Sequence, residues 1–63
     1  MEYTVRTRYG WGWEVTGQTF QSSPIESSIA AQEVADALNE GKSMGDAFAA
    51  LEFRDGRFYH KVA

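Results

Sequence analysis

The chain has no cysteine, a single proline and a single histidine among its 63 residues. Without cysteine there is no disulfide scaffold, no thiolate zinc site and no cysteine nucleophile. No stretch approaches the roughly 18 consecutive apolar residues of a membrane-spanning helix, so no membrane partner is expected. The opening residues MEYTVRTRYGWGWEV alternate polar and apolar types and lack the continuous apolar run of a signal peptide. The expected location is the cytoplasm.

A catalytic constellation is missing too. His60 stands alone, with no acid within three residues of it in sequence. A general base needs a nucleophile beside it, and a metal site needs further ligands at suitable spacing. Gly41-Lys42-Ser43 looks like the tail of a phosphate-binding loop, but Asp36 stands where that motif needs its first glycine, and a helix precedes it where a strand should. Gly10-Trp11-Gly12 lacks the third glycine of a dinucleotide fingerprint. Glu33, Asp36 and Glu40 recur at helical spacing, yet acid–base work by paired carboxylates needs a cleft, which so short a chain cannot wall off. No enzyme activity, cofactor or metal is expected.

A chain of this length holds one domain, residues 1–63, and buries only about 60% of the surface its unfolded form exposes. With disulfides excluded, aromatic packing and oligomerisation are left to stabilise it. Nine aromatics are present (Tyr3, Tyr9, Trp11, Trp13, Phe20, Phe48, Phe53, Phe58 and Tyr59), and each can bury roughly 150–250 Å².

The net charge is −3, unevenly spread. Residues 1–20 balance Arg6 and Arg8 against Glu2 and Glu14. Residues 21–53 set Glu26, Glu33, Asp36, Glu40, Asp46 and Glu52 against Lys42 alone. Residues 54–63 carry Arg54, Arg57 and Lys61 against Asp55. The acids therefore fall in the segment that reads as helical, and the bases fall in segments that read as strands.

Met1, Tyr3, Val5, Thr7 and Tyr9 alternate with polar residues, and Trp13, Val15 and Thr19 resume the alternation. A three-residue loop at 10–12 predicts a hairpin that pairs Tyr9 with Trp13, Arg8 with Glu14 and Thr7 with Val15. Ser23-Pro24-Ile25-Glu26 reads as a helix start with a capping box, Ser27 or Ser28 being later alternatives. Ala31, Val34, Ala35 and Leu38 form the apolar stripe, and Gly41 stops the helix. Ile25 and Ile29 fall on its polar side, so either the helix starts late or those two face something else. Ser43 and Asp46 cap a second helix whose stripe is Met44, Ala47, Phe48 and Leu51. Asp55-Gly56 is either a hairpin turn pairing Phe53 with Phe58, or the region just past a helix that runs to about Arg54, leaving only 57–62 as strand. The helical pattern through Leu51 favours the second.

These elements predict an α+β fold of order ββααβ: a three-stranded antiparallel sheet, with the last strand joined to the first hairpin, on two short helices. A fourth strand at 51–54 is the main variant. The expected core is Val5, Val15, Val34, Leu38, Phe48, Leu51 and Phe58.

Two functions fit. The first is a non-catalytic protein-binding module that inhibits a larger macromolecular machine. Small acidic domains of this size are common among phage-encoded inhibitors, anti-CRISPR proteins among them. Its contacts would be Tyr9, Trp11 and Trp13 on the hairpin and Glu26, Glu33, Asp36, Glu40 and Asp46 in the acidic middle. Its partner would be a protein or nucleoprotein with a basic groove, or a second copy of the chain in a homodimer through Trp11. The alternative is a nucleic-acid-binding sheet, with Arg6, Arg8, Arg57 and Lys61 on phosphates and aromatics on bases. An acidic chain argues against it.

Overall fold

The computed structural model describes residues 2–61. The expected strand start at Met1 and strand end at Val62 lie outside the described residues. The elements run β1 (Thr4–Arg8), β2 (Gly12–Thr16), α1 (Ser28–Asn39), α2 (Met44–Ala47), β3 (Leu51–Arg54) and β4 (Arg57–His60). The strands form two antiparallel hairpins, β1–β2 and β3–β4, in place of the expected three-stranded sheet.

The first hairpin forms where expected, with its pairing shifted. Val5 faces Val15, Thr7 faces Trp13 and Arg6 faces Glu14. The Trp11 N–H donates to the Arg8 carbonyl at 2.9 Å, closing a turn over Arg8–Trp11. Gly10 takes the third place of that turn at φ +77°, where a left-handed backbone is required. The loop is therefore Tyr9-Gly10-Trp11, and Tyr9 loses its expected partner. Because the shift is two residues, each side chain keeps its face. Val15 is fully buried, with Val5, Tyr3 and Trp13 packed beside it.

The helix start expected at Ser23 is instead an extended strap. Proline disfavours helix in the residue before it and cannot itself join a ladder as donor. Ser22 exchanges bonds with Val15: its N–H donates to the Val15 carbonyl, and its hydroxyl accepts from the Val15 N–H, both at 2.9 Å. Ile25 then pairs antiparallel with Trp13 and parallel with Phe58. On one side Ile25 and Trp13 exchange N–H···O bonds of 2.6 and 3.0 Å. On the other, the Phe58 N–H donates to Pro24 at 2.8 Å and the Glu26 N–H donates to Phe58 at 3.0 Å. The backbone hydrogen bonds that join the C-terminal strand to the first hairpin pass through this strap.

Helix α1 starts late, with Ser27 as the cap: its hydroxyl accepts the Ala30 N–H at 3.3 Å. It ends at Gly41, φ +93°, whose N–H donates to Leu38 while that of Lys42 donates to Ala37, a Schellman closure. Ala30, Ala31, Val34, Ala35 and Leu38 are buried, and the three alanines let the helix lie close to the sheet. Asn39 clasps the other end of the unit. Its amide donates to the Tyr3 carbonyl and its oxygen accepts the Tyr3 N–H, at 3.0 and 2.9 Å.

The second helix is a single turn, capped by Ser43 as expected, and none of its residues is buried. Gly45 weakens it, and Leu51 leaves the expected stripe for β3. Asp55 and Gly56 both take positive φ, 53° and 80°, which suits a tight hairpin turn. Phe53 pairs with Phe58, so the hairpin reading holds over the favoured helical one. Of the expected core, Val15, Val34, Leu38 and Leu51 are buried, while Val5, Phe48 and Phe58 are half-buried against them. Ile25, at 0% exposure, joins the core without having been expected there.

Ile25→Ala is expected to cost about 2–5 kcal/mol, the usual range for a fully buried aliphatic truncation. Phe48→Ala is expected to cost less, because its ring is partly exposed. Urea denaturation of both variants checks the order, and the reverse order would remove Ile25 from the centre of the core.

Candidate functional site

Helix α1 packs one face on the sheet and presents the other to solvent. Residues at i, i+4, i+7 and i+11 line up along a helix, which places Ile29, Glu33, Asp36 and Glu40 in a single row. All four are exposed, Ile29 at 71%. Glu40 pairs loosely with Lys42 at 3.8 Å, and Asp36 accepts from the Gln32 amide at 3.0 Å. Among the described residues Glu33 and Asp36 have no cationic partner. Glu26 is exposed in the strap, and Asp46 is exposed in the first turn of α2. Glu33, Asp36 and Glu40 are thus the continuous acidic row of the helical side, with Asp46 on the next helix and Glu26 apart in the strap.

The aromatic trio of the first hairpin is split. Trp13 points into the core, where it packs half-buried. Tyr9 stands at the tip, 96% exposed. Trp11 is 51% exposed, and its ring lies 5.3 Å from the Arg57 guanidinium. The sequence set these three side by side, but the pleat and the turn send them to three environments.

Gly12 is what lets Trp11 reach Arg57. Its φ is +119°, and a Cβ there would collide with the Ile25 carbonyl oxygen. Only glycine lets β2 begin so close to the strap, and that approach carries the loop toward β4.

Strand alternation puts Arg6, Arg8 and Glu14 on the face away from α1, and it puts Glu52, Arg54, Arg57 and Tyr59 on the corresponding face of the second hairpin. Glu14 is 6% exposed. It is held by Gln21 at 2.8 Å and by Arg8 at 3.5 Å. Glu52 lies 3.7 Å from Arg54, whose guanidinium stacks 4.2 Å from the Tyr59 ring. Arg57 is half-buried, and its Nε is buried with no hydrogen-bond acceptor. Lys61 follows β4, exposed, with its N–H on the Ala50 carbonyl at 3.0 Å.

Sequence reading passed over Ile29 and Arg54 as contact residues. Ile29 left a signal, since an isoleucine on the polar side of a helical wheel lacks a core role. Arg54 left none, because its stack on Tyr59 depends on a hairpin that was not the favoured reading. His60 is exposed at the end of β4, and no cluster of three metal-ligating side chains occurs among the described residues. Gly41-Lys42-Ser43 is the turn between the helices. No helix among the described residues is long and apolar enough to cross a membrane. Compared with protein-family models, with curated proteins and with solved structures, the chain finds no match.

In a Trp13→Phe background, Trp11 emission is expected at long wavelength and open to acrylamide quenching. Arg57→Ala is expected to raise the quenching constant further by uncovering one ring face. A short-wavelength, protected emission would place Trp11 inside the fold or inside a dimer.

Proposed function

We propose that this chain is a non-catalytic protein-binding module, an inhibitor that docks its α1 ridge into a basic groove on a protein or nucleoprotein. The observation that carries this reading is the row Ile29–Glu33–Asp36–Glu40. Two of its carboxylates lack a cation among the described residues, and an exposed isoleucine heads the row.

Each part has its own energetic role. Exposed carboxylates that meet a positive groove raise the association rate and add little affinity at physiological salt. Ile29 supplies what they lack. Burying an isoleucine side chain contributes about 1.5–3 kcal/mol, which slows dissociation. A groove shaped for nucleic acid is positive and elongated, and a straight row of carboxylates on a helix matches that charge. A chain seated there would exclude nucleic acid, the kind of action by which phage-encoded inhibitors such as anti-CRISPR proteins block a machine without chemistry. Asp46 extends the field at its margin.

The test uses a partner captured from lysate by the tagged chain and then purified. Wild type is expected to compete with nucleic acid for that partner, with affinity falling as salt rises. Glu33→Lys with Asp36→Lys is expected to cut the association rate on the order of tenfold, while melting stays within a few degrees because both sites are solvated. Ile29→Ala is expected to speed dissociation at an unchanged association rate. If the double lysine variant associates like wild type, the ridge is a solvated surface and the reading fails.

A further inference from the structure

The outer face of the two hairpins, on the far side of the sheet from the acidic ridge, has a different chemistry. Four guanidinium groups, from Arg6, Arg8, Arg54 and Arg57, share it with the rings of Trp11 and Tyr59. Tyr9 extends from its tip. Two carboxylates of this face are engaged, Glu14 by Arg8 and Gln21 and Glu52 by Arg54, while Glu26, next to the core-facing Ile25 in the strap, is exposed on the same face. Arg6 and Arg57 have no carboxylate partner among the described residues. Arg57 is the more telling of the two. Its guanidinium is held 5.3 Å from the Trp11 ring with no carboxylate to offset it among the described residues, so a positioned cation is left for an external anion.

We propose that this face binds single-stranded nucleic acid, with Arg57 and Trp11 at the centre of the site. Phosphates lie against Arg57 and Arg6, and bases stack on the open side of Trp11 and on Tyr9. The alternation of guanidinium and ring favours this occupant over an acidic peptide. A peptide would use the cations alone, whereas bases also use π-faces, and stacking contributes without regard to sequence. The rings are accessible: Tyr9 is 96% exposed, and Trp11 is 51% exposed with Arg57 behind it.

The net charge of −3 does not oppose this. Its excess acids sit on the helical layer, and the body of the domain lies between. Even the shortest dimension of the molecule is 18 Å, about two Debye lengths at physiological salt. The strand therefore meets the local field of the arginines and not the average of the chain.

The experiment is fluorescence anisotropy of a labelled oligothymidylate of about 15 nucleotides, a length that spans one small binding face. It is titrated with the whole chain from about 50 to 200 mM salt. Wild type is expected to bind with a log–log salt slope of about −1.4, the value for two phosphates on a single strand. Arg57→Ala is expected to weaken binding on the order of tenfold and to flatten the slope by about 0.7. Trp11→Ala is expected to weaken it by a similar factor at an unchanged slope, since stacking releases no counterions. Arg57→Lys keeps the charge and serves if Arg57→Ala fails to fold, with the slope retained. Glu33→Lys with Asp36→Lys is expected to change affinity by no more than about threefold at physiological salt, which separates this face from the ridge.

Three results would overturn the proposal. One is no binding at about 50 mM salt. Another is binding indifferent to both Trp11→Ala and a folded Arg57 variant. The third is polyglutamate competing as well as unlabelled oligonucleotide, which would assign the face to acidic proteins.

Discussion

Both edges of one extended segment are occupied, and the rest of the molecule is arranged around that. Residues 21–26 lie between the hairpins, bonded to Val15 and Trp13 on one side and to Phe58 on the other. Ile25 sits at the centre of this strap with no exposure. A buried backbone must satisfy its donors and acceptors, and here two strands that do not pair with each other do so through a third that is too short to be called one. Pro24 suits the position: it holds the chain extended, and its carbonyl accepts from Phe58 although it has no N–H to give. Gly12 suits it from the other side, because any side chain there would strike the strap.

Local signals in the sequence were legible where local physics decides. The first hairpin, the Ser43 cap, the Gly41 stop and the apolar face of α1 each rest on neighbours within one turn or one strand. Where the sequence misled, a local signal lost to a distant contact. Ser-Pro-Ile-Glu has the composition of a helix start, but two flanking strands needed those backbone groups more than a helix did. Leu51 fits a helical stripe, but Asp55-Gly56 closes a hairpin that draws it into β3. The misfit of Ile25 and Ile29 on the wheel was correct information about two different things, a buried strap residue and an exposed side chain on the helix.

The candidate surfaces show the same division. The acidic ridge was visible because helical spacing is periodic and needs no tertiary knowledge. The Trp11–Arg57 stack was not, since its members lie 46 positions apart in the chain and only the strap brings them together. Layering then sorts the charge. The helices carry the whole excess of acid, while the hairpins and strap balance five cations against five carboxylates, so the net charge of −3 sits on one side of the molecule.

The clasp between Asn39 and Tyr3 closes a contiguous stretch of chain upon itself. Residues 3–39 contain the first hairpin, the strap and α1, which is most of the core. The C-terminal third is held more lightly: a helical turn with nothing buried and a hairpin whose ladder bonds to the rest pass only through Pro24, Glu26 and Phe58. Cooperativity in so small a domain therefore has a seam. The second hairpin, anchored on the core by Leu51 and Phe58, is the part whose departure would leave the first unit's own backbone bonds intact. When it lifts, it takes Arg57 from under Trp11 and opens one edge of the strap, so the outer face exists only while that seam is closed.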